Sequence, residues 1–189
     1  MQDNPFPAIM GRVCYHPCET ACNRAQLDEA VGINSVERFL GDEGIKKGWK
    51  VEAHPEPTGK RVLVVGAGPS GLSAAYFLTR LGHSVTIREA GPMTGGMMRF
   101  GIPRYRLPRD ILDAEVDRIL DMGVKLELDS KVTNAVDAVA EGDFLPCRDP
   151  PAVADLQPVA ARLEPHERTA ATEQRALATS MSHADYYRR

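Results

Sequence analysis

The stretch from Arg61 to Glu89 leaves the chain few ways to fold. An apolar run, Val62-Leu63-Val64-Val65, is followed at once by Gly66-Ala67-Gly68-Pro69-Ser70-Gly71 and then by a helix-length segment from Leu72 to Leu81. Such a short run bounded by a glycine turn reads as a buried parallel strand. Gly82-His83 closes the helix, and Ser84-Val85-Thr86-Ile87 supplies a second strand ending at Glu89, which completes a right-handed strand-helix-strand crossover. Pro108 opens another helix, in which Leu112, Val116, Ile119 and Leu120 recur at helical spacing; Gly123 stops it, and residues 124–128 read as a third strand. The class is therefore α/β.

The glycines fit G-x-G-x-x-G in the position the physics requires, after a strand and at the start of a helix. Gly66 permits the tight turn, Gly68 lets backbone approach a pyrophosphate, and Gly71 allows close helix-to-strand packing. The helix N-terminus presents N–H groups and positive dipole to the phosphates. A carboxylate at Glu89 is placed to accept both ribose hydroxyls of an adenosine and to disfavour a 2′-phosphate, so FAD or NAD is expected over NADP. The following segment, Gly91 to Pro103, holds four glycines. Backbone lying against a ligand and a plain loop both remain open for it.

Cys14, Cys18 and Cys22 sit four residues apart, a crowding suited to a metal site in a reducing compartment rather than to disulfides. Helical backbone would line them along one face, converging on a soft metal. An iron-sulfur cluster, a zinc ion and buried free thiols are all compatible with that spacing; His16 reads as a loop histidine and Cys147 as an unremarkable thiol. With 23 Lys+Arg against 26 Asp+Glu, a formal charge of -3, no basic excess points to nucleic acid or an anionic membrane. The sequence has no apolar run of about 18 residues, and its first residues lack the pattern of a signal peptide. A cytoplasmic location is expected.

Three segments follow from these textures. Residues 1–58 are Cys- and Pro-containing, with a helical-looking stretch at Ser35 to Phe39, and end in a Pro-rich linker; residues 59–142 form the start of a Rossmann-like domain; residues 143–189 differ from both. All 16 glycines precede residue 143, and the tail also lacks Ile and Lys while being rich in Ala, Arg and Pro. A solvated, partly helical extension and a stretch translated out of frame both remain open.

Asn4-Pro5-Phe6-Pro7-Ala8, Gly11-Arg12-Val13-Cys14, Cys18-Glu19-Thr20-Ala21-Cys22-Asn23-Arg24 and Gly32-Ile33-Asn34-Ser35-Val36-Glu37-Arg38-Phe39 together resemble the iron-sulfur module of the glutamate synthase small (beta) subunit family, which also opens dihydropyrimidine dehydrogenase. The glycine turn, Gly95-Gly96 and Gly101-Ile102-Pro103-Arg104-Tyr105-Arg106-Leu107-Pro108 are similar to the start of that family's FAD domain. The resemblance covers roughly residues 4–142. It implies an electron-transfer oxidoreductase in which a nicotinamide cofactor reduces FAD and [4Fe-4S] clusters carry electrons to a partner subunit or domain. It further implies that Gly68, Pro69, Ser70 and Gly71 contact the FAD phosphates and Glu89 the ribose, that Gly95, Gly96 and Met97 pass along the cofactor, that Arg106 supplies a cation, and that Val132 lines the adenine side. By the same resemblance Cys14, Cys18 and Cys22 match cluster ligands, and Glu37 falls where an oxygen ligand completes one cluster. The family carries an earlier cysteine motif upstream of the matching segment, so the ligands present here are expected to fall short of two clusters. Its nicotinamide-binding domain has no counterpart in the matched residues, which leaves enzymatic turnover by the chain open. A non-catalytic interaction module and an inactive truncated gene product stand as the alternatives.

Overall fold

A computed structural model of the chain describes residues 3–51, 56–142 and 144. The expectations for the tail and for Cys147 lie outside the described residues. Three parallel strands, β1 (Arg61–Val65), β2 (Ser84–Arg88) and β3 (Lys125–Glu127), form a sheet in the order β1-β2-β3. Val64 pairs with Ile87, and Ile87 with Leu126. Since β2 has neighbours on both sides, it is the buried strand: Val85, Thr86 and Ile87 are all inaccessible. The expectation of a buried first strand is met only at Val64, because β1 pairs on one side alone among the described residues and Val65 remains exposed.

Seven helices accompany the sheet among the described residues: α1 (Pro7–Val13), α2 (Pro17–Thr20), α3 (Ile33–Lys46), α4 (Pro69–Arg80), α5 (Met97–Phe100), α6 (Arg109–Leu120) and α7 (Ala135–Glu141). The crossover helix α4 begins at Pro69, three residues before the apolar periodicity does, since proline fixes φ for a first helical turn and has no N–H to leave unpaired. The stretch expected at Ser35 to Phe39 is the opening of the much longer α3. The third strand is shorter than expected, and Asn134, whose side chain accepts from the Val136 N–H, caps a helix α7 that was not anticipated.

Apolar residues of the N-terminal helices and of the sheet share one core, with Phe6 and Ile9 packed in the same cluster as Leu72, Leu112, Val116 and Ile119. α1 and α3 cross at backbone distance. A Cβ on Gly41 would lie 2.3 Å from the Ala8 nitrogen, and one on Gly11 would lie 2.5 Å from the Arg38 Cα, so only glycine permits the crossing. Arg12 secures it with two bonds to the Asp42 carboxylate, at 2.7 and 3.1 Å.

The N-terminus of α1 is satisfied from a distance. Phe6 offers no capping side chain; instead the fully buried Glu115 of α6 accepts from the Ala8 N–H at 3.1 Å and the Ile9 N–H at 3.0 Å. Arg118 donates to the same carboxylate at 2.9 Å and to the Pro5 carbonyl at 2.8 Å. Burial pushes the Glu115 carboxyl above its ordinary value, while the two amides and Arg118 pull it down.

Glu115→Gln removes the charge opposite a buried guanidinium and is expected to destabilise the chain by about 3–5 kcal/mol in urea unfolding. Gly41→Ala forces α1 and α3 apart and is expected to lose about 1–3 kcal/mol in the same measurement, whereas an unchanged midpoint would mean the crossing relaxes freely.

Candidate functional site

The glycine turn joins β1 to α4. Gly66 has φ +96°, which a side-chain-bearing residue rarely adopts, and its N–H donates to the Arg88 carbonyl at 2.8 Å. A Cβ on Gly71 would meet the Gly66 carbonyl oxygen at 1.9 Å, so the close helix-to-strand packing expected of that position is present. Gly68 is the N-cap of α4 and no side chain caps the helix, leaving first-turn N–H groups open for an anion. Glu89 lies beside the turn. Its carboxylate accepts from the Ala67 N–H at 2.6 Å and from the Gly91 N–H at 2.9 Å, which fixes its orientation and leaves one lone pair on each oxygen for a further donor such as a ribose hydroxyl.

The second glycine pair packs on the first. The Gly95 N–H donates to the Ala67 carbonyl at 2.7 Å, and a Cβ on Gly96, at φ +48°, would come within 2.8 Å of the Gly68 Cα. Residues 94–97 are therefore more than a plain loop. Two glycine turns stack backbone to backbone and lead into α5, whose first residue, Met97, is half-exposed. An open helix N-terminus beside backbone without side chains suits the pyrophosphate of a dinucleotide, so these residues fit FAD. Val132 is partly exposed and lies in the connection between β3 and α7, separate in sequence from the two glycine turns.

The cysteines do not share one helix. Cys14 follows the last residue of α1 in extended conformation, Cys18 lies in α2, and Cys22 precedes a 3-10 turn at Asn23–Gln26. Pro17 enforces the break, since it disfavours helical backbone at His16, which adopts φ 45°. All three thiols are free, and Cys14 and Cys18 are exposed. Among the described residues no three His, Cys, Asp or Glu side chains converge on a metal position. Glu37 accepts a hydrogen bond from Asn4 and lines a groove of about 420 Å³ with Asn4, Val36, Leu40 and Trp49. His16 is the loop histidine expected, its ring within 3.4 Å of the Cys14 carbonyl. The backbone N–H groups of Val31 and Arg24 favour the Cys22 thiolate and lower its pKa, with desolvation and the Glu19 charge opposing them.

Arg106 brings the two halves of the site together. Its guanidinium donates to the Val13 carbonyl at 3.3 Å and stacks over the Tyr15 ring at 5.3 Å, flanking Cys14 on both sides in sequence.

Two protein families match this arrangement in chain order: dihydropyrimidine dehydrogenase domain II, 4Fe-4S cluster, over residues 1–49, and the NAD(P)-binding Rossmann-like domain over residues 64–117. The chain belongs to the glutamate synthase small-subunit-like family. It is 37% identical to the glutamate synthase [NADPH] small chain of Bacillus subtilis, across 75% of this chain and 28% of that one. Identity is 42% to the NADP(+)-dependent formate dehydrogenase subunit beta of Moorella thermoacetica, across 69% of this chain and 22% of the relative. The NAD-dependent dihydropyrimidine dehydrogenase subunit PreT of Salmonella typhimurium is 37% identical across 69% of this chain and 32% of its own length. The chain thus spans less than a third of the length of these curated relatives. Among the described residues no helix is long and apolar enough to cross a membrane.

Sequence reasoning missed Glu115, Arg118 and Arg109. Only Glu115 left a signal: it falls on the apolar stripe of Leu112, Val116 and Ile119, where a carboxylate requires a buried partner.

With Cys14, Cys18 and Cys147 replaced by serine, alkylation of Cys22 by iodoacetamide in the metal-free chain is expected to have its pH midpoint below the ordinary thiol value of about 8.5. A midpoint at or above that value would show that the Val31 and Arg24 amides do not reach the sulfur.

Proposed function

We propose that the chain is the FAD-holding part of an NAD(P)H-dependent electron-transfer oxidoreductase, with its cysteine segment facing the onward path to a partner subunit or domain. The observation that carries this reading is the contact of Arg106 with the Val13 carbonyl and the Tyr15 ring, which seats a residue of the flavin-facing loop against the segment bearing Cys14. FAD, when bound, converts the two-electron chemistry of a nicotinamide into single-electron transfers.

The chain's own contribution is binding and orientation. The open N-terminus of α4, with Gly68, Pro69, Ser70 and Gly71, receives the pyrophosphate, and the preset Glu89 carboxylate receives the ribose. Gly95, Gly96 and Met97 lie along the cofactor, Val132 lines its adenine side, and Arg106 supplies positive charge between flavin and cysteines. Cys14, Cys18 and Cys22 furnish part of an iron-sulfur donor set. No step is assigned to a cluster, because among the described residues no three such donors converge. The free, exposed thiols of Cys14 and Cys18 favour a second reading, a docking module that binds no flavin.

Anaerobic reconstitution followed by assay of flavin, iron, sulfide and zinc in one sample separates the two. The first reading expects FAD at one per chain, lost in Gly96→Val, whose side chain would collide with the Gly68 backbone. A parent chain that retains no flavin, with or without a partner subunit, would overturn it, and zinc without flavin would establish the docking module.

A further inference from the structure

Arg109 opens α6, and a cation at that end of a helix opposes the macrodipole. Its guanidinium is directed away from solvent onto backbone instead. Nη1 donates to the Met98 carbonyl at 3.2 Å and the Leu107 carbonyl at 3.0 Å; Nη2 donates to the Ile102 carbonyl at 2.8 Å and to the Arg99 carbonyl. All four terminal N–H groups are thereby used on one segment, residues 98–107. Two of those carbonyls belong to the last turn of α5, where a positive charge is favourable. The other end of the same segment is fixed by the Gly95 bond to Ala67 and by the contact of Gly96 with Gly68.

We infer that Arg109 is a positioning residue for the cofactor site: it touches no cofactor, but holds residues 98–107 in the one backbone shape that presents Gly95, Gly96 and Met97 to the flavin and Arg106 to the cysteine segment. Lysine cannot replace it. An ammonium is a single point with three donors, whereas the four carbonyls are spread over a turn of helix and the loop beyond and match the planar fork of a guanidinium. The inference rests on the FAD reading only for its functional consequence, because the clamp itself is a property of the chain without cofactor.

The test uses the full chain with Arg109→Lys and Arg109→Gln, and Glu115→Gln as a comparison that weakens the fold elsewhere. Amide hydrogen exchange without cofactor is expected to rise about tenfold or more at Arg106 and Leu107 in both Arg109 variants, and to stay at the parent rate at Gly66. FAD affinity, read by quenching of flavin fluorescence, is expected to fall about tenfold in Arg109→Gln, the loss of a charge-assisted bond, with an altered circular dichroism of the bound flavin. Arg109→Lys is expected to recover only part of that loss, and Glu115→Gln to lower thermal stability while leaving both flavin readouts near those of the parent. Parent-like exchange at Arg106 and Leu107 in Arg109→Gln would overturn the clamp. Faster exchange there with unchanged FAD affinity would overturn its role toward the cofactor. A parent that binds no FAD would overturn the flavin reading, and the exchange rates would still decide whether Arg109 holds the segment.

Discussion

The Glu115 carboxylate holds together parts of the chain that the sheet alone would not. It sits in the middle of α6, inaccessible to water, and accepts the two N–H groups that α1 cannot satisfy within itself. An uncapped helix end buried against a core is costly, and so is an unpaired carboxylate; each removes the other's deficit, with Arg118 balancing the charge. Because α1 also crosses α3 at backbone distance, fixing α1 fixes the cysteine-bearing segment that follows it. The placement of Cys14 is thus decided at the opposite end of α1, by a carboxylate from a helix far along the chain.

The strand-helix-strand unit was legible because its signals are local. An apolar run, a glycine turn and an acid at the end of the second strand occupy positions set by the geometry of a parallel crossover, and Gly66, Gly71 and Glu89 stand where that pattern puts them. What escaped notice depends on residues distant in sequence. Nothing near Gly41 announces that Ala8 will lie against it, and Arg109 reads as an ordinary surface cation until the four carbonyls it holds are folded around it. The cysteine spacing left the backbone open for a different reason: an interval of four lines thiols along one face only on a continuous helix, and Pro17 interrupts it and gives each thiol a separate local conformation. Glu115 was the one long-range feature with a visible trace, as a charge on an otherwise apolar helix face.

Arg106 gives the site its directional character. A loop over residues 98–107 and a cysteine segment that merely shared a core would be two neighbouring regions. A guanidinium bonded to the Val13 carbonyl and stacked on Tyr15 makes them one surface, with positive charge between the two segments.

One helix carries both anchors. Arg109 grips residues 98–107, and six residues later Glu115 grips α1. Their separation along the axis is about 9 Å. Each added or removed residue between them would swing one anchor by about 100° around the helix relative to the other and break one of the two attachments. Residues 110–114 can therefore exchange identities on the solvent side far more readily than they can change in number. For this stretch of chain, insertions and deletions are the lesions that count.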